Sequence, residues 1–363
     1  MTVFQAPVRF FAGASTPCGY KNSLPDLYRP EDGWRVYLIK SGPGTGKSTL
    51  MKRVYEELSA GGEEAEVFCC SADPSSLDGV RFPRLRVCLL DATEPHVVEP
   101  RYWGVCEQLV PLSVCMNEEA LYARRRAYLT VAEENRALHA RCRRLLSGAA
   151  SLLNENARLQ RDTLDEEKIS RTAARLASRE FPAAGGEGNE QRRFLSAVTP
   201  EGVLPLFETV QALCPRIYAL ADDYGAASSL LLTELRKRAL AAGLDILTCP
   251  CPLSPENRLE HLLIPSLGLA FVTSNRAHTV DFPVLSRLHA ARFSDAEALR
   301  RCRQRLSFNH RAAEELLNGA VVALSEAREV HDRMEAICGA AMNWERAREM
   351  QDALVEKILK LAT

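Results

Sequence analysis

Two hydrophobic patterns alternate along the chain and predict a mixed α/β protein. Short apolar runs rich in β-branched and aromatic residues, such as WRVYLIK at 34–40 and VCLL at 87–90, are typical of buried strands. Other stretches repeat apolar residues at helical spacing. Strands that alternate with helices in this way build parallel sheets with flanking helices.

Long amphipathic helices are predicted at two places, 117–180 and 295–361. Both stretches are rich in Ala, Leu, Arg and Glu. In the first, Leu138, Leu145 and Leu152 recur at heptad spacing, which favours helical hairpins with one apolar face. Such hairpins could recruit a protein partner.

Arginine clusters within the first helical stretch allow two interpretations. The runs 124–126 and 141–144 could contact phosphates or supply an arginine finger. Runs of this kind more often form a solvated face that pairs with neighbouring glutamates, and we favour that interpretation. Aromatic residues are sparse here, so binding of single-stranded nucleic acid is not indicated.

A glycine-rich loop directly follows the strand at 34–40 and reads SGPGTGKST from Ser41 to Thr49. A helix is predicted from Leu50 to Ala60, so the loop lies between a strand and a helix, as a Walker A motif requires. Glycines let backbone amides face phosphates, and the helix dipole favours anions. The predicted nucleotide-binding residues are Gly42, Pro43, Gly44, Thr45, Gly46, Lys47, Ser48 and Thr49.

Lys47 and Ser48 have distinct predicted roles in this loop. Lys47 should reach the β- and γ-phosphates of a nucleoside triphosphate, and the Ser48 hydroxyl should coordinate Mg²⁺. One position departs from the pattern, because Ser41 replaces the first glycine of the motif. Serine fits there only if its φ angle is negative.

Acidic residues after the next apolar run could complete the site. Asp91 closes the strand at 87–90, at the edge where open α/β sheets place their ligands, and we predict that it holds Mg²⁺ directly or through water. Asp91 could instead cap the following turn. Glu94 could activate the attacking water, or it could be a solvated loop carboxylate.

Other polar residues near these strands have weaker assignments. Asp73 should lie at the same sheet edge as the glycine-rich loop, but Asp-Pro also begins many turns. We interpret His96 as structural rather than catalytic. The closest cysteines are Cys69 with Cys70 and Cys249 with Cys251; they match no zinc-finger spacing, so buried thiols are expected rather than a metal site.

A repeat offset by about 181 residues suggests a tandem duplication. The segment FAGASTPCG at 11–19 returns as FLSAVTPEG at 194–202. Tyr37 corresponds to Tyr218, and His96 to His278. We therefore predict a P-loop domain at 1–182, a glycine-rich linker at 183–191 and a second, degenerate copy at 192–363.

The second copy should not bind nucleotide. At the offset of 181, Lys47 corresponds to Ser228, and Asp91 corresponds to Thr273 at 182. Two carboxylates, Asp222 and Asp223, stand at the mouth of the second loop, where they would repel a triphosphate.

Composition excludes several classes of protein. Hydrophobic residues make up 46% of the 363 residues, charged residues make up 26%, and the formal net charge is −1. Near-neutral charge gives no global reason to expect a nucleic acid or an anionic membrane as partner. The N-terminus lacks the pattern of a secretory signal, no apolar stretch is long enough to span a membrane, and the twelve scattered cysteines suit reduced thiols. The expected compartment is the cytoplasm.

Four segments carry a resemblance to a known family: GASTPCG at 13–19, IKSGPGTGKSTLM at 39–51, CSADPSSLDGV at 70–80 and DATEPHVVEP at 91–100. The chain resembles an uncharacterised bacterial, largely clostridial, family of ATP-binding P-loop proteins of similar length. The family loop has glycine where this chain has Ser41. The resemblance implies an ATPase-like protein that binds ATP and Mg²⁺.

Three functions remain open at this level. The first is a slow ATPase in which Lys47, Asp91 and Glu94 are catalytic. The second is a switch or scaffold that binds ATP without turnover, and the third, less favoured, is a small-molecule kinase. GTP is disfavoured because the sequence has no Asn-Lys-x-Asp motif.

Overall fold

A computed structural model describes residues 4–183 and 185–362. They form a mixed α/β protein with two six-stranded, mostly parallel sheets and flanking helices. The predicted α/β class is therefore confirmed. Within the described residues, no helix combines the length and the apolar character needed to cross a bilayer.

The first sheet has the strand order β1-β5-β6-β7-β4-β8, and only β6 runs antiparallel to its neighbours. A separate hairpin pairs β2 with β3. The elements up to residue 180 are β1 (Arg9–Phe11), β2 (Gly13–Thr16), β3 (Gly19–Asn22), β4 (Arg35–Ile39), α1 (Lys47–Ala60), β5 (Glu66–Cys69), β6 (Leu77–Phe82), β7 (Val87–Asp91), β8 (Glu107–Val110), α2 (Glu118–Ala123), α3 (Arg125–Arg161) and α4 (Glu166–Glu180).

The second sheet repeats this arrangement, with the order β9-β13-β14-β15-β12-β16 and a hairpin of β10 with β11. Only β14 is antiparallel to its neighbours. Its elements are β9 (Glu190–Arg192), β10 (Ser196–Thr199), β11 (Gly202–Pro205), α5 (Phe207–Leu213), β12 (Arg216–Ala221), α6 (Ala226–Ala241), β13 (Ile246–Pro250), β14 (Leu259–Ile264), β15 (Leu269–Ser274), β16 (Ser286–His289), α7 (Ala296–Arg301), α8 (Arg303–Gly339) and α9 (Trp344–Leu359).

Asparagine and aspartate side chains cap the N-termini of helices in both predicted helical stretches. Asn117, Asp165, Asp295 and Asn343 each accept a hydrogen bond from a backbone amide in the first turn of the helix that follows. Such N-caps satisfy amides that otherwise lack a partner within the helix. The helices fill the ranges 117–180 and 295–361 apart from short breaks, as the sequence pattern predicted.

The described chain divides into two compact units that interleave along the sequence. One contains residues up to 14, 20–142 and those from 321 onward, and the other contains 15–19 and 143–320. The first sheet thus shares its unit with α9 and the end of α8, and the second shares its unit with α4 and the end of α3. The predicted domains at 1–182 and 192–363 describe the sequence repeat and not these compact units, whose bounds differ. The two domains therefore stay a prediction.

Residues of the predicted linker at 183–191 are partly structured. Ala184 lies outside the described residues, whereas Glu190 and Gln191 belong to β9, which pairs with β13. Asn189 donates through its backbone amide to Asp245 at 2.8 Å. The last residues of this segment are therefore part of the second sheet.

Each unit has its own apolar core. In the second unit, Leu231, Leu232 and Leu235 of α6 pack with Ile169 of α4 and with Phe271 of β15, and all five side chains are buried. Removing one such side chain from water contributes roughly 1.5–3 kcal/mol. In the first unit, the sheet buries apolar residues that include Leu38, Phe68 and Leu89.

Candidate functional site

The loop at 41–49 lies at the carboxyl end of β4, beside the end of β7. Ile39 is paired in register with Asp91, so the end of β7 lies level with the start of the loop. Gly44 and Gly46 have φ angles of 64° and 87°, a region that favours glycine. The helix begins at Lys47 rather than at the predicted Leu50. The lysine therefore belongs to the first turn of the helix.

Ser41 fits the loop without backbone strain. Among the described non-glycine residues, Arg86 is the one with a positive φ angle, so Ser41 meets the condition for replacing glycine. The Ser41 carbonyl accepts hydrogen bonds from the Lys47 ammonium at 3.3 Å and from the Thr93 hydroxyl at 3.0 Å. The backbone at position 41 therefore takes part in the loop, while the buried Ser41 hydroxyl has no hydrogen-bond partner among the described residues.

Lys47 and Asp91 lie close together and are largely buried. The Lys47 Nζ donates to the Gly42 carbonyl at 2.7 Å and lies 3.6 Å from Asp91 Oδ2. Burial raises the pKa of Asp91, while the Lys47 ammonium acts in the opposite direction. An unpaired cation or carboxylate would be costly at this place, so each group stabilises the charge of the other.

Ser48 and Thr93 position the loop and Asp91. The Ser48 hydroxyl accepts a hydrogen bond from the Leu77 amide at 3.0 Å. The Thr93 amide donates to Asp91 Oδ1 at 2.8 Å, while its hydroxyl bonds to Ser41. Thr93 was missed by the sequence analysis, although its place two residues after the strand was the available signal.

Glu94 and Asp73 have different surroundings. Glu94 is exposed in the loop after Asp91. Asp73 accepts a hydrogen bond from the Ser75 amide, and its Oδ1 lies 2.8 Å from the Arg328 guanidinium of α8. The structure thus brings Arg328, which the sequence did not single out, to the loop before β6.

The predicted arginine clusters lie on exposed helix faces. Arg124, Arg125 and Arg126 are exposed, and the Arg125 guanidinium stacks over the Tyr122 ring. Arg141 pairs with Glu326 at 3.3 Å, both side chains being about half exposed. These contacts agree with the solvated-face interpretation.

The end of α8 and the start of α9 lie against the glycine-rich loop. A β-carbon added to Gly44 would stand 2.7 Å from the carbonyl oxygen of Glu335, and one added to Gly42 would stand 3.3 Å from Cys338 Sγ. At Gly46 the nearest atom would be Gln351 Nε2, at 3.1 Å. Any side chain at Gly44 would therefore clash with the helix backbone. The segment 335–351, which we call the loop cover, contacts the backbone that is predicted to hold phosphates.

His96 belongs to a buried hydrogen-bonded group. Its Nε2 lies 3.0 Å from Asp78 Oδ2 and its Nδ1 lies 2.9 Å from the Tyr20 hydroxyl. Burial lowers the pKa of His96, but the charge and hydrogen bond of Asp78 and the charge of Asp91 together raise it more, so the net shift is upward. Both ring nitrogens have partners, which suits the structural interpretation of His96.

The second loop, at 222–229, uses its backbone amides internally. Asp222 Oδ2 accepts a hydrogen bond from the Ser228 amide at 2.8 Å, and Gln160 Oε1 accepts one from the Ala226 amide at 2.9 Å. Asp222 Oδ1 also accepts from Gln160 Nε2 at 2.8 Å. Side-chain oxygens therefore accept hydrogen bonds from backbone amides at the start of α6. In a phosphate-binding loop, amides at this place would donate to the phosphate instead.

Comparison with known proteins leaves this site to be interpreted from its own geometry. No family model, no curated protein and no solved structure matches the chain. What the loop can do therefore follows from the placement of Lys47, Ser48 and Asp91.

Proposed function

We propose that the chain binds Mg-ATP at residues 42–49 and hydrolyses it slowly. The observation that supports this most is the placement of Lys47 at the start of α1, after two glycines with positive φ and 3.6 Å from Asp91. In the bound state Lys47 would turn toward the β- and γ-phosphates. Ser48 and Asp91 would hold Mg²⁺, since oxygen ligands suit this cation.

We also propose that the two halves arose by tandem duplication and that only the first binds nucleotide. The identical strand order of the two sheets supports this proposal. Ser228 stands at the position that corresponds to Lys47. Its backbone amide already donates a hydrogen bond to the Asp222 carboxylate.

Calorimetric titration of the purified chain tests the proposal directly. We expect one equivalent of Mg-ATP to bind, and we expect chelation of Mg²⁺ to weaken binding at least about tenfold, because Mg²⁺ links the phosphates to Ser48 and Asp91. GTP serves as the competing ligand. A chain that binds neither triphosphate would contradict the proposal.

Phosphate release separates hydrolysis from binding. If Glu94 activates water, Glu94→Gln should lower turnover by roughly 100-fold or more while ATP affinity stays within about threefold. Glu99→Gln is a suitable control because Glu99 is also exposed and pairs with Lys40. Equal turnover in both variants and the wild type would exclude Glu94 as the catalytic base.

A nucleotide-dependent switch is the second candidate, and the loop cover favours it. Because the Glu335 backbone lies against Gly44, phosphates entering the loop would have to compete with α8 for space. ATP would then shift the population of the loop cover away from the loop. A protein partner could recognise the released helices.

Hydrogen exchange measures this movement. We expect Mg-ATP to speed amide exchange in 335–344 at least about tenfold, because displaced helix ends open more often. The helix α4 in the other unit provides the internal reference. Slower exchange across 335–344 would show that ATP tightens the cover and would remove the support for this switch.

A further inference from the structure

A buried cluster of potential metal ligands lies within the second unit. Glu260 and His261 belong to β14, and His278 follows β15; the three residues are at most 5% exposed. One ligand atom from each lies within 4.8 Å of the other two. Glu260 Oε2 is 3.9 Å from His261 Nε2, and Glu260 Oε1 is 3.8 Å from His278 Nε2.

Several atoms of this cluster lack hydrogen-bond partners among the described residues. They are Glu260 Oε2, His261 Nε2 and His278 Nδ1, together with the neighbouring Thr273 Oγ1. Buried polar atoms are nearly always bonded, because leaving water without a new partner is costly. Several unpartnered atoms in one place therefore point to a missing ligand.

The corresponding place in the first unit differs by one hydrogen bond, although Asp78 Oδ2 there too has no hydrogen-bond partner beyond its ion-pair contact with His96, and Asp78 and His96 form a possible ligand group with Cys70. Asp78 and His96 stand 182 residues before Glu260 and His278, and there the Tyr20 hydroxyl bonds to His96 Nδ1. In the β10–β11 hairpin the matching residue is Val203, which has no hydroxyl. Val203 instead lines a cavity together with Glu260, Thr273 and His278. The cavity provides a route from solvent to the cluster.

We propose that Glu260, His261 and His278 bind a divalent transition cation such as Zn²⁺. Two imidazoles and a carboxylate form an established ligand set for such ions. Because one ligand atom of each residue lies within 4.8 Å of the other two, a central point lies at most roughly 2.8 Å from each, and contraction by about half an ångström would reach the usual distance of about 2.0–2.2 Å.

Three neighbouring groups oppose the cation. Asn275 Nδ2 lies 3.4 Å from His278 Nε2, so binding through this nitrogen requires the long contact to open. The Thr273 amide donates to His261 Nδ1 at 3.3 Å, so binding through Nε2 requires the ring proton to move to Nδ1 and this long bond to open. Arg258 bonds to Cys251 Sγ and lines the same cavity as Glu260 and His278, so its charge repels a cation there. Arg258→Gln should therefore strengthen Zn²⁺ binding, by about threefold or more.

Zinc titration of the full chain tests the proposal. The chain is first stripped of metal with a chelator, and its affinity for Zn²⁺ is then measured against a chromophoric competitor. We expect one tight equivalent in the wild type and at least a tenfold loss of affinity in Glu260→Gln and in His278→Asn. His96→Gln and His331→Asn are the matched controls. Among the described residues, His96 and His331 lie in the other two possible ligand groups: His96 with Cys70 and Asp78, and His331 with Asp332 and Glu335, whose group is exposed. Both controls should keep the tight site.

Co²⁺ absorption of the wild type gives a second measurement that needs no variant. Visible bands of a low-coordinate cobalt site, displaced by one equivalent of Zn²⁺, would support the cluster as the binding site. Absence of uptake by the wild type would overturn the proposal and leave water as the ligand of the unpartnered atoms. Loss of the tight site in His331→Asn alone would also overturn it, because the exposed group would then hold the metal.

Discussion

Replacing Lys47 by alanine is expected to weaken Mg-ATP binding by roughly 30-fold to several thousand-fold. Truncating one partner of a desolvated charge pair costs about 2–5 kcal/mol, which corresponds to this range of affinity. In the proposed bound state, the Lys47 ammonium leaves the carbonyls of Ser41 and Gly42 and contacts the phosphates. Calorimetric titration with Mg-ATP measures the loss, and Lys47→Gln provides a second variant that keeps most of the side-chain volume.

The second loop supplies the matched control for Lys47. Ser228 stands at the corresponding place, and its hydroxyl makes only a long contact of 3.4 Å with the Gly225 carbonyl. Ser228→Ala should leave ATP affinity within about twofold of the wild type, because the nucleotide site does not include this residue. ATP affinity unchanged by Lys47→Ala would contradict the site assignment, and a loss in Ser228→Ala would place nucleotide in the second unit.

Replacing Asp222 by alanine is expected to lower the free energy of unfolding by about 3–5 kcal/mol. The carboxylate is 3% exposed and accepts hydrogen bonds from the Ser228 amide, the Tyr224 amide and the Gln160 side chain. Each buried donor left without a partner costs about 1–3 kcal/mol. Denaturant unfolding, followed by circular dichroism, measures the change.

Asp223 provides the control for Asp222. It is exposed, and its contact with Arg276 is a surface ion pair of 3.5 Å. Such pairs contribute at most about 1 kcal/mol, so Asp223→Ala should unfold close to the wild type. Equal stability of the Asp222 and Asp223 variants would show that Asp222 does not hold the second loop together. Mg-ATP affinity should be unchanged in both.

Strands and helices were predictable because each depends on a local pattern of apolar and polar residues. The apolar run before Ser41 became β4, the run before Asp91 became β7, and both helical stretches lie within the predicted ranges. The helix predicted from Leu50 begins three residues earlier, at Lys47, and ends at Ala60 as predicted. These features depend on neighbours in sequence, which a single chain displays directly.

Contacts between distant residues were not predictable in the same way. Nothing local indicates that Thr93 bonds to Ser41, that Arg328 meets Asp73, or that Gln160 occupies the amides of the second loop. His96 was assigned as structural, but its partners Asp78 and Tyr20 come from separate strands. Such partners are set by the folding of the sheet.

The sequence by itself determined the α/β class, the glycine-rich loop with Lys47 and Ser48, and the presence of Ser228 at the position that the proposed repeat aligns with Lys47. These follow from residue type and spacing, which act over a few positions of the chain. Only the tertiary structure decided that α9 shares a compact unit with the first sheet and α4 with the second. The tertiary structure also decided which buried polar atoms form hydrogen bonds. Burial of apolar surface brings distant segments together, but it does not specify which polar groups will then be neighbours.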